Sequence, residues 1–405
     1  MNISRRGVIT GIGIINSCAE GVNDFLTSLK EGRSKIGDVE FLDVSQYPSK
    51  KAGEVKTVKT LEYLDKARIA RYGRASIFGL AAARMAMEDA NMVTGYYDPT
   101  RVSLVIGSVL GDAQFFEAGQ RGKGPRDIAF DQIPHYHPAI NIAGYFDING
   151  RNLTLFGACA SGNYALGCAL DLIRTGRTDC ALCGAADALS HVTFSGFNRL
   201  QIMTPDKCRP FDKGRSGMVL GEGACIFVVE EEKAAMRRGA RTYCEIAGYG
   251  LTCDAYNISA PRMDGSTIMH AMELALQDSR LSAADIGHIN AHGTGTIAND
   301  KVEAACYRTL FGDNIENIPV TSIKPMIGHT MGAAGAMEAA ACAIAVKFGV
   351  IPPTVNYETE DPECRLNIVR GNSIIDGTLG AVMNNSFGFG GTNASLILSR
   401  SEVST

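Results

Sequence analysis

Three side chains in this sequence have types and settings suited to covalent chemistry: Cys159, His292 and His329. Cys159 lies in "LFGACASGNYALGCALDLIR", residues 155–174, where an apolar strand passes through small residues into a helical pattern. The thiolate is the nucleophilic form of cysteine, and unpaired N–H groups in a helix's first turn favour negative charge. Ala158, Ala160, Ser161 and Gly162 leave room for a substrate beside the sulfur. His292 in "INAHGTGTIAND" and His329 in "SIKPMIGHTMGAAGAMEAA" fall in glycine-flanked loops at the ends of apolar strands. Two such imidazoles and a helix-start cysteine make one coherent site for nucleophilic catalysis. The other five histidines are placed less suggestively. His270 is expected on a helix, His288 before a strand, His191 in "LSHVTF", and His135 and His137 in an irregular stretch.

The elements that must hold these residues alternate between short apolar runs and helical patterns, which is α/β grammar. In the first half "GVITGIGII", "VSLVIGSVL", "NLTLFGACA" and "CALCGAA" read as strands, with helices at "RASIFGLAAARMAMEDA" and "SGNYALGCALDLIRTG". The second half offers "CEIAGYGLT", "IGHINAHGTGT", "IPVTSIK" and "TLGAVMNNSFGFGGTNASLILS" as strands, and "STIMHAMELALQDS" and "AAGAMEAAACAIAVKFG" as helices. Each half opens on Ile-x-Gly-x-Gly, "ITGIG" at 9–13 and "IAGYG" at 246–250, which suggests a duplicated unit. The charged helix at residues 230–242 marks the boundary. It gives an N-terminal half, 1–242, carrying the thiol and a C-terminal half, 243–405, carrying both imidazoles. No Pro- or Ser-rich linker separates them, so they are expected to pack together. Residues 110–140 read as an irregular excursion lining a pocket or a subunit contact.

Composition removes several function classes. The 405 residues carry a formal charge of −4 and are 45% hydrophobic, which argues against bulk affinity for nucleic acid or an anionic membrane. The longest apolar stretch, "AMEAAACAIAVKFGV", contains Glu338 and Lys347, so a soluble, cytoplasmic protein is expected. Twelve scattered cysteines, mostly beside Ala, Gly or Ile, suit small buried hydrophobes in a reducing compartment. "CALC" at 180–183 lies in a strand-like run that would turn its two thiols to opposite faces, against a metal or redox pair. "GIGIIN" at 11–16 has Asn16 where a dinucleotide fingerprint needs its third glycine.

"GACASG", "NAHGTGT", "IKPMIGHTMGAAGAMEA" and "NNSFGFGGTN", in this order along nearly the whole chain, resemble a β-ketoacyl-[acyl-carrier-protein] synthase. "RPFDKGRSGMVLGEGA" and "PPTVNY" match the same family. The resemblance implies a thiolase-like fold of two similar α/β halves in a layered αβαβα core. It implies that Cys159 accepts an acyl group from a carrier protein's phosphopantetheine arm. His292 and His329 would then stabilise the enolate formed when malonyl-carrier protein loses CO2. The family's buried lysine and its acidic partner fall on Lys324 and Glu338. The backbone N–H groups of Cys159 and Phe389 would form the oxyanion hole. Thr294, Thr296, Phe389 and Gly390 would contact the substrate arm, with Phe389 as a gate. No metal or enzyme-bound cofactor is implied.

Within the family, "IGH" at His329 selects against the thiolases and the coenzyme-A-primed synthases. The standing thiol selects against a non-catalytic chain-length partner. "HGTGT", "SIKPMIGH", "AND" at 298–300 and "DPECRLNIV" at 361–369 resemble the ketosynthase subunit of type II polyketide systems, whereas "NSFGFGGTN" is the form found in fatty-acid elongating synthases. Polyketide chain extension is the expectation, with fatty-acid elongation of the synthase II type as the alternative. The implied partners are an acyl carrier protein and either a second copy or a chain-length-factor-like homologue. "DKARIARYGRAS" would present Lys66, Arg68, Arg71 and Arg74 on one helix to an acidic carrier protein.

Overall fold

The computed structural model describes residues 5–93, 95–120 and 135–401. Its ten principal strands are β1 (Gly7–Asn16), β2 (Val102–Gly107), β3 (Asn152–Leu155), β4 (Cys180–Asp187) and β5 (Gly223–Glu231), then β6 (Cys244–Cys253), β7 (Ile286–Asn290), β8 (Val320–Thr321), β9 (Ala381–Gly388) and β10 (Thr392–Ser399). They follow the order β8-β7-β9-β10-β6-β1-β5-β4-β2-β3. From β1 outward the path is 1-5-4-2-3; from β6 outward it is 6-10-9-7-8, the same route displaced by one half. The pairing signs agree as well. β1–β5 and β5–β4 are antiparallel, then β4–β2 and β2–β3 parallel. β6–β10 and β10–β9 are antiparallel, then β9–β7 and β7–β8 parallel. Among the described residues two ladder pairs, Val8 with Glu245 and Ile9 with Cys244, join the two halves into one continuous sheet.

Six helices complete the repeat: α1 (Arg74–Asp89), α2 (His137–Phe146), α3 (Ser161–Arg174), α4 (Ser266–Ser279), α5 (Ile297–Phe311) and α6 (Ala334–Phe348). α1 covers β1, β5 and β4 from outside, and α4 covers β6 and β10 in the same way. α3 and α6 pack on each other between the two halves of the sheet and touch strands of both. The stacking is therefore helix, sheet, helix, sheet, helix. α6 is buried from Ala334 to Val346 on every face, which explains why its sequence shows no polar stripe. It lies in Met331–Phe348, the helical stretch among the described residues long and apolar enough to span a bilayer, and here it is core.

The Ile-x-Gly-x-Gly repeat has a packing reason. A Cβ on Gly13 would sit 1.8 Å from the Ala82 carbonyl oxygen of α1, and one on Gly250 2.0 Å from that of Ala271 in α4. Each glycine lets an outer helix lie directly on the strand beneath it. The pair at Gly11 and Gly13 is thus mid-strand and forms no phosphate loop. "CALC" does lie in β4, with Cys180 and Cys183 in separate core clusters on opposite faces.

Several expectations are corrected. β5 was not among the expected strands, and "TLGAVMNNSFGFGGTNASLILS" is two strands, β9 and β10, joined at residues 389–391. The charged boundary helix spans only Glu232–Arg237. His288 lies inside β7, fully buried. The excursion at 110–140 holds helix Ala113–Gln120 and the start of α2, while residues 121–134 lie outside the described residues. Lys66, Arg68, Arg71 and Arg74 do not share a helix. Asp65 caps a single turn, Lys66–Ile69, and α1 starts afresh after Gly73. Arg74 turns inward, where its guanidinium pairs with the fully buried carboxylate of Glu222 and donates to the Val55 carbonyl. Arg68 donates to the Gly144 carbonyl and lies over the Tyr145 ring.

Candidate active site

Cys159 stands in the 3-10 turn Ala158–Ala160 that opens α3. Ala158 is left-handed, at φ +46°, a conformation uncommon for a residue with a side chain. Ser161 braces the bend: its hydroxyl accepts the Gly157 N–H at 2.9 Å and donates to the Ala158 carbonyl at 2.7 Å. The second half repeats the device at Met331–Ala333, with Met331 at φ +55° ahead of α6. In that turn the residue matching Cys159 is Gly332.

His329 does not directly follow its strand. It comes after β8 and the one-turn helix Lys324–Ile327, and its backbone bridges that of Leu220. Its N–H donates to Val219 at 2.7 Å, and its carbonyl accepts from Gly221 at 2.9 Å. This places Nε2 3.1 Å from the Cys159 sulfur. His292 lies just past β7, its ring centroid 5.5 Å from that of His329 at an interplanar angle of 84°. Burial and the Lys324 charge hold both imidazoles well below the ordinary histidine range, so both are neutral at pH 7.

Lys324 and Glu338 form a buried ion pair behind His292, each side chain 1% exposed. The ammonium also donates to the His292 carbonyl and lies 3.4 Å from His292 Nδ1. An ammonium has donors only. Nδ1 of His292 must therefore accept, which puts the ring proton on Nε2, facing the cavity. Burial pushes Glu338 up to about 7 against the pull of Lys324.

Burial also pushes the Cys159 thiol up to about 11, opposed by the Lys324 charge and the Phe389 backbone N–H that hydrogen-bonds the sulfur. Cys208, Cys306 and Cys364 are pushed to about 12. The expected helix-start activation therefore leaves Cys159 a thiol at rest. What separates it from the other eleven is the His329 imidazole against its sulfur.

A cavity of about 380 Å³ opens over these groups. Cys159, His292, His329, Thr294, Thr296, Phe389 and Gly390 line it, so the expected substrate residues converge. The two threonine hydroxyls are 2.9 Å apart. Phe389 stacks on Phe197 at 5.5 Å, and the two rings wall one side. Lys66, Arg68, Arg71 and Arg74 are not part of this lining. The sulfur and ring nitrogens lie within 4.8 Å of one another, a donor set zinc can use. The ammonium against His292 opposes a dication there.

Sequence reasoning missed Glu303. Its carboxylate accepts the backbone N–H groups of His292 at 2.6 Å and Gly293 at 2.9 Å, and the Tyr307 hydroxyl at 2.7 Å. The signal was available: Asp300, Glu303 and Tyr307 are spaced to share one face of α5, and all three are buried.

A thiol, two neutral imidazoles and backbone donors around one cavity suit acyl transfer and stabilisation of an oxyanion. The β-ketoacyl synthase N-terminal domain model matches residues 4–235, and the C-terminal domain model matches residues 243–358. The chain belongs to the β-ketoacyl synthase family. Among relatives of this synthase, the 3-oxoacyl-[acyl-carrier-protein] synthase 2 of Synechocystis sp. is 37% identical over 97% of both chains. The tetracenomycin polyketide synthase ketoacyl synthase alpha subunit of Streptomyces glaucescens is 35% identical, over 98% of this chain and 97% of the relative. Among solved structures, the ishigamide ketosynthase/chain length factor superposes with a TM-score of 0.92 at 37% identity, covering 98% of this chain and 99% of that one. A type II polyketide ketosynthase, in complex with its acyl-carrier protein and bound to a hexaketide, gives 0.88 at 29% identity over 98% and 100%. As a ketosynthase, this enzyme is an acyltransferase of the thiolase-like fold.

Proposed function

We propose that the enzyme extends a polyketide chain in a type II system, with the acyl chain held on Cys159 and malonyl-carrier protein as the extender. Residues 1–242 would supply the thiol and residues 243–405 both imidazoles. The observation that carries this reading is the 3.1 Å contact of Cys159 Sγ with His329 Nε2 over a cavity shared with His292. In the first step Cys159 sulfur bonds to the acyl carbonyl carbon, and the pantetheine sulfur leaves with the thiol proton. Malonyl-carrier protein then loses CO2, and the Nε2–H groups of His292 and His329 hold the enolate oxygen. Its α-carbon attacks the Cys159 thioester, whose oxygen accepts from the N–H groups of Cys159 and Phe389. The carbonyl re-forms, the C–S bond breaks, and the released Cys159 thiolate takes a proton from water. Lys324 and Glu338 act behind His292, keeping Nδ1 an acceptor. Thr294, Thr296 and Gly390 take the pantetheine arm, and Phe389 swings with its glycine neighbours to admit it.

The phosphopantetheine arrives on the carrier protein in this scheme, the enzyme works in the cytoplasm, and its partner is a homologue without the thiol. Lys66 and Arg71, both exposed, remain the carrier-protein contacts of the original four. The test is intact-mass analysis after incubation with an acylated carrier protein. The wild type should gain one acyl group and Cys159→Ala none. Extension products are then compared with and without the Cys-lacking homologue. Repeated extension only in its presence supports the polyketide role, and single rounds by the protein alone support fatty-acid elongation.

A further inference from the structure

The two catalytic-site imidazoles are held differently. His292 is fixed at Nδ1 by Lys324, whereas the buried Nδ1 of His329 has no hydrogen-bond partner among the described residues. Apart from the Nε2 contact with Cys159, the direction of the His329 ring therefore depends on its backbone. On one side that backbone is bridged to Leu220; on the other it runs through Thr330 and the left-handed Met331 to Gly332. The Gly332 N–H, in the turn ahead of α6, donates to Asp187 Oδ2 at 2.8 Å.

Asp187 ends β4 in the half that carries Cys159, and it is 1% exposed. Its carboxylate also accepts the Ser108 hydroxyl at 2.8 Å and the backbone N–H groups of Val109 and Leu110 at 3.0 and 3.3 Å. A Cβ on Gly332 would lie 2.5 Å from Oδ2. The place matching the Cys159 side chain in the other half is thus filled by this carboxylate. A negative group at the start of α6 also favours that helix.

We infer that Asp187 is a positioning residue for the decarboxylation step, clamping the Gly332 N–H so that His329 Nε2 stays in register with Cys159 across the two halves. The inference rests on the enolate-stabilising part assigned above to His329. It separates two steps. Loading needs the sulfur and the backbone N–H groups around it, whereas decarboxylation needs the aimed His329 ring.

Asp187→Asn puts an amide where one carboxylate oxygen faces N–H donors. The wild type and the variant are compared by mass-detected acyl loading and by CO2 release from malonyl-carrier protein. Expected are loading within threefold of wild type, kcat for CO2 release lowered at least tenfold, and KM for malonyl-carrier protein within twofold. Gly332→Ala attacks the same contact from the other side and should reproduce that split, so it decides the matter if Asp187→Asn does not fold. The double variant should be no worse than the more impaired single one. Equal losses in loading and CO2 release, or a kcat within twofold of wild type in either folded variant, overturn the inference. A wild-type protein that releases no CO2 sinks the proposed function itself, whereas an active wild type with indifferent variants sinks only the role of Asp187.

Discussion

At the residue scale, the resting thiol and the Lys324–Glu338 pair give distinct expectations. With its pKa pushed up to about 11, Cys159 is a thiolate only in small fraction at neutral pH. Alkylation of Cys159 by iodoacetamide should therefore accelerate about tenfold per pH unit between pH 7 and 10. A rate flat across that range would instead reveal a preformed thiolate–imidazolium pair. Lys324→Met strands Glu338, both partners being 1% exposed. Removing one member of a buried pair costs about 3 kcal/mol. CO2 release should fall with it, because His292 Nδ1 loses its donor. Adding Glu338→Leu should restore much of the unfolding free energy in denaturant titrations without restoring CO2 release, which separates stability from tautomer control. Cys159, His292 and His329 were legible as residues. Glu303 was not, because its work is done through backbone N–H groups that no motif spells out.

At the element scale, the duplicated architecture depends on helices seated directly on glycines. Gly13 and Gly250 hold matching posts, each with an outer-helix carbonyl within 2.0 Å of a would-be Cβ. Gly13→Ala and Gly250→Ala should each lower the unfolding free energy by about 3 kcal/mol, the scale of overpacking a close-packed site. Gly144, a glycine of helix α2 with open space around it, should tolerate alanine in the same denaturation assay. Helices α1, α3, α4 and α6 were readable from period and composition. The basic stretch at 66–74 was misread because spacing alone cannot see Gly73 break the helix or Glu222 draw Arg74 inside. β5 was overlooked between a glycine-rich segment and a charged helix, although it pairs with β1 and β4 in the middle of its sheet.

At the scale of the whole molecule, buried titratable groups pull stability in opposite directions. His288 is buried in β7 and pushed down to about 3, its Nε2 2.9 Å from the Thr321 hydroxyl. The unfolded chain binds that proton near pH 6.5 and the folded one does not, so stability is lost as pH falls from 6.5 toward 3. Glu303 and Glu338, both raised to about 7, act with the other sign: their contribution is present at low pH and lost as pH rises through 7. His288→Asn should therefore shrink the drop in unfolding free energy between pH 6.5 and 4.5 by about 2 kcal/mol, measured by urea titration at both values. Sequence alone determined the α/β class, the repeat and the three candidate side chains, because strand and helix periods and the glycine-flanked motifs are local properties of the chain. The 3.1 Å approach of sulfur to imidazole, the tautomer of His292 and the clamp on Gly332 were decided only by tertiary structure. The first and third join segments from different halves and the second joins two loops of one half, and in none does one segment specify the other's position.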